Sequence, residues 1–361
     1  QYFDVAWPKT NDSEKKFPLV IWLHGSGWFA PVPKVTFERT DMETLAKQGY
    51  VVVSMNYRIS NLAAPTYKNL FPAPIQDVRC AVKRFRSNRY PNLPVDKDNI
   101  AVSGISAGGN MSLILAALSS KSESEISAYA VDYDSPECEY NNYSAAIQAA
   151  ISVAGPPTLV ENSDMLLRFP PVTYVGHHSP AQTAGGPILP SIALWFDRDE
   201  SSAKEVKLVW NVSNASNCTA SGDWSGNKGI NDSSIENIDV DGSKTFTLTC
   251  TGPGGSTARS ATAMGIHTSV NYLGVQPKDD VPLARLASPQ SLFANASDSD
   301  VPPLMLIHGG EDNTVPIEAR DNLIKDVLDP RSITHEVITF NGLGHDINIW
   351  KNTDQRILDF L

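Results

Sequence analysis

Short apolar runs alternate with amphipathic segments along most of the chain, and this alternation predicts the fold class. The run from Pro18 to Leu23 is apolar on both faces, which is typical of a strand buried in a parallel sheet. Similar runs end at Met55, Val153 and His308, and segments with helical periodicity lie between them. Strands that alternate with helices favour an α/β fold with a mostly parallel central sheet covered by helices on both faces.

The pattern places these elements on both sides of a turn-rich middle segment. The predicted strands are Asp4–Pro8, Pro18–Leu23, Tyr50–Met55, Ile100–Val102, Ala145–Val153, Leu304–His308 and His335–Phe340. The predicted helices are Thr40–Gly49, Pro74–Asn88, Asn110–Leu118, Ile317–Val327 and a last one that reaches Leu361.

Between residues 187 and 266 the pattern changes, because Ser, Thr, Asn and Gly replace the lysines and long apolar helices. Short alternating runs at Val206–Trp210 and Thr245–Cys250, with turn-rich spacers, predict a small β-sandwich. We therefore predict a hydrolase-like α/β domain formed by residues 1–186 and 267–361, interrupted by an inserted all-β domain at 187–266.

The chain has four cysteines, and their placement carries more information than their number. Cys218 and Cys250 lie in the predicted sandwich, and Trp210 precedes them, a pattern typical of a sandwich whose two sheets are joined by a disulfide. Cys80 lies on a predicted helix, where we expect a buried free thiol. A disulfide between Cys80 and Cys138 is the alternative, because connectivity cannot be read from sequence.

The strand that begins at Ile100 breaks in a glycine-rich turn and re-forms as an apolar helix from Asn110. Strand, sharp turn and helix is the context in which G-x-S-x-G forms a nucleophile elbow. Such a turn strains its central serine and leaves no room for a Cβ at Gly104 or Gly108. Ser106 is therefore the candidate nucleophile.

A serine hydroxyl is a poor nucleophile at neutral pH, so it needs an imidazole as base and a carboxylate that orients the imidazole. His345 lies in a glycine-rich turn after a predicted strand, at the sheet edge to which the elbow points. Asp312 is the candidate acid, in the loop after the strand that ends at His308, and Glu311 is its rival. His308 itself is expected to be structural.

The tetrahedral intermediate of acyl transfer needs amide donors directed at its oxyanion. One candidate is the amide of Ala107, at the start of the helix that follows the nucleophile. The others are the amides of Ser26 and Gly27, in a turn of small residues that follows a buried strand.

Composition limits the possible partners. The formal net charge of the 361 residues is -11 and the basic residues are scattered, which does not favour nucleic acid as a partner. No apolar run approaches the roughly 20 residues of a transmembrane helix. His177 and His178 have no carboxylate or cysteine at ligand spacing, so no metal is expected.

These motifs resemble those of bacterial α/β-hydrolase carboxylesterases related to hormone-sensitive lipase and to the bifunctional feruloyl and acetylxylan esterases. The matching stretches are His24–Trp28, Tyr57–Ser60, Phe71–Arg79, Asp98–Gly109, His308–Pro316 and Gly344–His345. The roles that the resemblance implies are nucleophile for Ser106, acid for Asp312, base for His345, and oxyanion hole for the amides of Ser26, Gly27 and Ala107. Ser26 departs from the usual glycine, which leaves the acyl preference open.

The middle segment resembles the bacterial immunoglobulin-like modules of secreted proteins, through Leu208–Trp210, Cys218–Gly226 and Thr245–Gly252. This resemblance implies an inserted domain and a secreted or periplasmic protein.

From these observations we expect a serine carboxylesterase that needs no cofactor and acts on small-molecule or polymer-linked esters. The sandwich is expected to replace or extend the cap over the site and so to shape access for bulky esters. An exopeptidase of the same fold is the first alternative, because a triad alone does not distinguish esters from amides. The second is a binding module on a hydrolase-like scaffold.

Overall fold

The structure is a computed structural model that describes residues 3–29, 37–60, 68–160, 168–169, 189–197, 205–237, 243–264, 266–267, 272–275, 277, 279–312, 314–345 and 354–361. The chain forms two compact units. The main unit consists of residues 1–167 and 268–361, and the second unit consists of residues 168–267. His177 and His178 lie outside the described residues.

The strands fall into a large sheet in the main unit and smaller sheets in the second unit. The strands are β1 (Phe3–Ala6), β2 (Phe17–Leu23), β3 (Val51–Met55), β4 (Val95–Ile105), β5 (Ala149–Val153), β6 (Arg168–Phe169), β7 (Ser191–Asp197), β8 (Glu205–Ser213), β9 (Asn217–Gly222), β10 (Gly226–Lys228), β11 (Asn231–Asn237), β12 (Ser243–Gly252), β13 (Gly255–Met264), β14 (Ile266–His267), β15 (Leu304–Gly309) and β16 (His335–Phe340).

The helices of the described residues all belong to the main unit. They are α1 (Phe37–Lys47), α2 (Ala73–Arg86), α3 (Ala107–Ser119), α4 (Glu123–Ser127), α5 (Val281–Leu286), α6 (Pro289–Phe293), α7 (Ile317–Leu323) and α8 (Asp354–Phe360). A π-helical segment, Ile324–Leu328, extends α7. Over the described ranges, no helix is both long and apolar enough to cross a membrane.

The main sheet has seven strands in the order β1-β3-β2-β4-β5-β15-β16. Only β1 is antiparallel to its neighbour, and the other six strands run parallel. The carboxyl ends of β2, β4, β5, β15 and β16 therefore meet at one edge of the sheet. The residues predicted for catalysis lie in the loops that follow β2, β15 and β16, in the turn after β4 and at the start of α3.

Helix α3 lies in the centre of the main unit, and its residues 107–118 are all buried. A helix without a polar face is stable only where neighbours cover it on all sides, which explains why its sequence is mostly apolar. The hydroxyl of Ser112 is still satisfied, since it donates to the carbonyl oxygens of Gly109 (2.8 Å) and Ile151 (3.0 Å). The nucleophile turn thus precedes a rigid, fully packed element.

Cys80 on α2 forms a disulfide with Cys138. The expectation of a free thiol at Cys80 is therefore wrong. The two cysteines are brought together by an ionic cluster that ties α2 to the Cys138 loop, because Arg79 (2.8 Å) and Lys83 (2.8 Å) both pair with Asp134. Sequence could not place the loop against the helix, since a pairing of charged residues far apart in the chain has no periodic signal.

Two antiparallel sheets of the second unit share one core, and a third, two-stranded sheet pairs β6 with β14. The first two sheets have the strand orders β10-β9-β12-β13 and β11-β8-β7. Leu208 and Trp210 of one sheet lie in the same buried cluster as Phe246 and Leu248 of the other. The described part of this unit is therefore a β-sandwich.

The disulfide of the second unit joins Cys218 and Cys250, but it lies within one sheet. The two residues are directly opposite each other on the neighbouring strands β9 and β12. The expectation of a disulfide between the two sheets is therefore wrong. In this register both side chains already face the core on the same side of the sheet, and Trp210 of the other sheet belongs to that core. An immunoglobulin-like identity for this unit remains a prediction.

Candidate active site

Ser106 lies in a sharp turn between β4 and α3, with φ 55° and ψ -118°. A positive φ is rare for a residue with a Cβ and marks strain. The neighbouring glycines make the turn possible, as the sequence predicted. A Cβ on Gly104 would lie 2.6 Å from the carbonyl oxygen of Gly108, and one on Gly108 would lie 2.7 Å from the carbonyl oxygen of His24.

Backbone hydrogen bonds fix the position of the turn. The amide of Ser106 donates to the carbonyl of Val153 at the end of β5 (2.8 Å), and the amide of Asn110 donates to the carbonyl of Ser106 (2.9 Å). The Ser106 hydroxyl is buried and has no hydrogen-bond partner among the described residues. A strained serine with an unpaired hydroxyl is suited to reaction with a bound ligand.

Asp312 lies in the loop that follows β15, and its side chain is completely buried. One carboxylate oxygen, Oδ1, accepts hydrogen bonds from the amides of Thr314 and Val315, both at 2.8 Å. The other, Oδ2, is 2.7 Å from Nδ1 of His345, in the loop that follows β16. Glu311 is exposed, so the structure brings Asp312, and not Glu311, to His345.

His308 at the end of β15 supports this loop. Its Nε2 donates to the carbonyl of Val315 (2.7 Å) and lies 3.4 Å from Oδ2 of Asp312. Burial alone would raise the pKa of Asp312, but the hydrogen bonds from His308 and His345 hold this pKa well below its usual range. Asp312 is therefore ionised across the neutral and mildly acidic range.

The ionised Asp312 determines the tautomer of His345. A carboxylate only accepts hydrogen bonds, so Nδ1 of His345 must carry a proton in their 2.7 Å contact. In the neutral ring Nε2 then carries the lone pair of the imidazole, which can accept a proton. This arrangement allows His345 to act as a general base.

The loop after β2 carries the amides that the sequence proposed for an oxyanion hole. The carbonyl of Gly25 accepts hydrogen bonds from Nδ1 of His24 (2.7 Å) and from the hydroxyl of Tyr57 (3.2 Å). Because the carbonyl and the next amide of a trans peptide point in opposite directions, the Ser26 N–H is directed away from these two side chains. A Cβ on Gly25 would lie 3.2 Å from the Cβ of Ser106, so this loop lies directly beside the nucleophile turn.

Sequence comparison connects the first part of the chain to known hydrolases. Residues 3–167 match the family described as BD-FAE. Arylacetamide deacetylase of Oryctolagus cuniculus is 34% identical over 99 residues, which are 27% of this chain and 23% of that protein. Esterase LipI of Mycobacterium tuberculosis is 30% identical over 112 residues, which are 31% of this chain and 32% of that protein. The chain thus matches less than a third of the length of these relatives.

Structure comparison covers 99% of the chain. A bifunctional GH43-CE protein of Bacteroides eggerthii superposes with a TM-score of 0.60 at 18% identity, over 35% of that protein. A truncated carbohydrate esterase from gut microbiota superposes with a TM-score of 0.57 at 18% identity, over 90% of that protein. The main unit has an α/β-hydrolase fold. The chain is similar in sequence and fold to carboxylesterase-type hydrolases, and the main unit is called the hydrolase unit below.

Sequence reasoning missed two residues of the hydrolase unit that support the loop His24–Trp28, called the oxyanion loop below because the sequence predicts an oxyanion hole there. Tyr57 holds the loop by donating to the carbonyl oxygens of His24 (2.9 Å) and Gly25. Tyr272 stacks on Trp28, with 4.3 Å between ring centroids and 7° between ring planes. A tyrosine after a buried strand could have suggested the first contact, but nothing in the sequence connects Tyr272 with Trp28.

The oxyanion loop of the hydrolase unit is strained at a residue that is not glycine. Ser26 has φ 100°, and Gly27 and Trp28 follow at 60° and 64°. A side chain in this region costs about 1–3 kcal/mol, which glycine avoids. The strain is concentrated in the residues that would bind an oxyanion.

Replacing Ser26 by Gly should therefore stabilise the hydrolase unit by about 1 kcal/mol, after the entropic cost of glycine is subtracted. Thermal unfolding should show a Tm higher by about 2–4 °C. Ala128→Gly is the matched control, since Ala128 has φ -81° and no strain to relieve, and it should not raise the Tm. A Tm for Ser26→Gly at or below that of the wild type would show that the loop stores no strain at this position.

Proposed function

We propose that the chain is a serine carboxylesterase that uses Ser106 as nucleophile, His345 as base and Asp312 as acid. The observation that carries the proposal is the 2.7 Å contact between His345 and buried Asp312, at the sheet edge that also holds the strained Ser106 turn. The match to the BD-FAE family and the similarity to named esterases support the same chemistry.

In the proposed acylation, the oxygen of Ser106 attacks the carbonyl carbon of the ester, and its proton moves to Nε2 of His345. The carbonyl oxygen becomes an oxyanion that the amides of Ser26, Gly27 and Ala107 stabilise. Each such donor typically contributes about 2.7–4 kcal/mol to the transition state. When the tetrahedral intermediate collapses, the bond to the alcohol breaks and the alcohol leaves with the proton from His345.

In the proposed deacylation, water takes the place of the alcohol. His345 accepts a proton from the water while its oxygen attacks the acyl-enzyme carbonyl. The second intermediate collapses to the carboxylic acid, and Ser106 recovers its proton from His345. Ionised Asp312 stabilises the imidazolium in both steps, and its low pKa keeps it in the required form.

The substrate class is tested with a panel of p-nitrophenyl esters and aminoacyl amides. A carboxylesterase should hydrolyse the esters with a burst of p-nitrophenol when deacylation is slow, and should leave the amides intact. Faster hydrolysis of the amides than of the esters would favour an exopeptidase. Hydrolysis of neither class would favour a binding module on a hydrolase-like scaffold.

Two disulfides, Cys80–Cys138 and Cys218–Cys250, support a place for the protein in an oxidising compartment. Such bonds persist in secreted and periplasmic proteins and are rare in the cytosol. We therefore propose secretion or export to the periplasm. Fractionation of the native source, followed by mass spectrometry of alkylated and unalkylated cysteines, tests this placement.

We further propose that the second unit governs which esters reach the site, rather than the chemistry itself. Replacing residues 168–267 by a short linker should then leave hydrolysis of p-nitrophenyl acetate measurable while hydrolysis of polymer-linked esters falls. Circular dichroism is needed to show that the shortened chain folds. Complete loss of small-ester hydrolysis in a folded variant would contradict the proposal.

A further inference from the structure

Several buried polar groups in and around the loop His24–Trp28 have no hydrogen-bond partner among the described residues, and this loop packs against the nucleophile turn through Gly25. They include the Ser26 hydroxyl, the indole nitrogen Nε1 of Trp28, the Tyr272 hydroxyl and the Ser106 hydroxyl. Most buried polar groups in proteins are paired, because an unpaired one loses its hydration without compensation. Ser26 and Trp28 share one loop and Tyr272 stacks on Trp28, so these unpaired groups indicate donors available to a ligand.

The two aromatic members of this group are in direct contact. The rings of Trp28 and Tyr272 are parallel and 4.3 Å apart, and both residues are fully buried. The backbone fixes both, since the amide of Ser60 donates to the carbonyl of Trp28 and the amide of Phe71 donates to the carbonyl of Tyr272, each at 2.7 Å. The indole N–H of Trp28 and the hydroxyl of Tyr272 therefore belong to two stacked rings whose backbones are fixed.

The chemistry of both groups is that of a donor. The indole nitrogen can only donate. Burial raises the pKa of Tyr272 well above its ordinary value, and the nearby phenols of Tyr133 and Tyr57 raise it further, so the Tyr272 hydroxyl keeps its proton. Tyr57, whose electrostatic effect reaches Tyr272, also contacts the oxyanion loop. Its hydroxyl donates to the carbonyl oxygens of His24 and Gly25.

Tyr133 is a buried tyrosine next to Tyr272 whose hydroxyl does have a hydrogen-bond partner. It is fully buried, and both it and Tyr272 make edge contacts with Phe71. Its hydroxyl, however, donates to the carbonyl of Leu286 at 2.6 Å. Of two buried tyrosines packed on one phenylalanine, the structure satisfies one and leaves the other unpaired beside the oxyanion loop.

We propose that Tyr272, Trp28 and the Ser26 hydroxyl form a subsite that donates hydrogen bonds to an oxygen atom of the substrate outside the reacting ester group. The preferred substrates are then esters with an ether or hydroxyl oxygen close to the ester, on either the acyl or the alcohol side. These donor groups are buried, but the Ser106 hydroxyl that has to reach the ester is buried too. Burial is therefore no argument against a substrate that contacts both. The inference rests on the proposed esterase function.

The test compares the full-length wild type with Tyr272→Phe, which removes a single oxygen atom. The substrates are two pairs that differ by one oxygen in place of one methylene. They are 2-methoxyethyl acetate with butyl acetate, and p-nitrophenyl methoxyacetate with p-nitrophenyl butyrate. In at least one pair, the wild-type kcat/KM ratio of ether to methylene substrate should fall by about 3- to 10-fold in the variant. The Tm should be unchanged or about 2–4 °C higher, because an unpaired buried hydroxyl is lost.

Tyr133→Phe is the matched control. It should lower the Tm, because a satisfied buried hydrogen bond is lost, and it should leave both ratios at the wild-type value. Unchanged ratios in Tyr272→Phe, or an equal change in Tyr133→Phe, would overturn the subsite. If the wild type hydrolyses none of the four esters, the proposed function itself fails, which is a different result from unchanged ratios in an active enzyme.

Discussion

Asp312→Asn should lower kcat for ester hydrolysis by about 10⁴-fold. Oδ1 of Asp312 accepts hydrogen bonds from two amides, Thr314 and Val315, so the oxygen of an asparagine must occupy that place. Its NH₂ group then faces Nδ1 of His345, which has to accept a hydrogen bond and lose its proton. The proton moves to Nε2, and His345 can no longer act as a base. Steady-state kinetics with a saturating p-nitrophenyl ester measure the effect.

Glu311→Gln is the control for this prediction, because Glu311 is the neighbouring carboxylate and is exposed. It should leave kcat close to that of the wild type. A large loss of kcat in Glu311→Gln, together with little loss in Asp312→Asn, would make Glu311 the acid. Thermal unfolding of both variants separates a catalytic effect from loss of fold.

Gly108→Ala should destabilise the hydrolase unit by about 3 kcal/mol or more, which lowers its Tm by roughly 6–12 °C. The added Cβ would meet the backbone carbonyl groups of Leu23 and His24, at the end of β2. Backbone atoms in the central sheet cannot move aside as a flexible side chain can. The variant is also expected to lose esterase activity. The Ser106 turn and the oxyanion loop are in direct backbone contact at Gly108, so an added Cβ would displace one from the other.

Gly229→Ala provides the control for a general effect of replacing glycine. A Cβ there has its nearest neighbour at 3.5 Å, an ordinary contact, so the Tm should stay near that of the wild type. If Gly108→Ala melts at the same temperature as Gly229→Ala, the close approach of the two backbones is not a requirement of the turn. Differential scanning calorimetry of both variants gives the comparison.

Local signals in the sequence were sufficient for much of the hydrolase unit. Buried parallel strands read as continuous apolar runs, so the strands Leu304–Gly309 and His335–Phe340 were predicted to within about one residue. The order of Ser106, Asp312 and His345, each after a strand, located three loops at one sheet edge. The carboxyl ends of parallel strands lie at the same edge of a sheet, so the loops that follow them are close together. The order of strands and loops along the chain therefore predicted that these three residues share one edge.

Features that depend on register or on distant contacts were not predictable. The position of Cys218 opposite Cys250 is a matter of strand register, and a period-two pattern does not specify which residues of two strands are paired. The Cys80–Cys138 bond joins α2 to a distant loop that the ion pairs of Arg79 and Lys83 with Asp134 also hold to this helix. The short helices α5 and α6 were missed as well, because five or six residues do not establish a helical period.

The support of the oxyanion loop was also invisible in the sequence. The sequence placed Trp28 in the stretch His24–Trp28 but did not indicate its partner Tyr272, because the two lie in different halves of the chain. The sequence did identify Ser26 as an unusual residue at its position. The structure shows that Ser26 has a strained φ of 100° and a buried hydroxyl with no partner among the described residues.

The central claim is that Ser106 is the nucleophile of the proposed esterase. The most direct measurement is labelling of the purified protein with a fluorophosphonate, followed by proteolysis and mass spectrometry of the peptides. The predicted result is one label per chain on Ser106, and none on the folded Ser106→Ala variant. A label on another residue, a label that persists in Ser106→Ala, or no label on the folded wild type would contradict the claim.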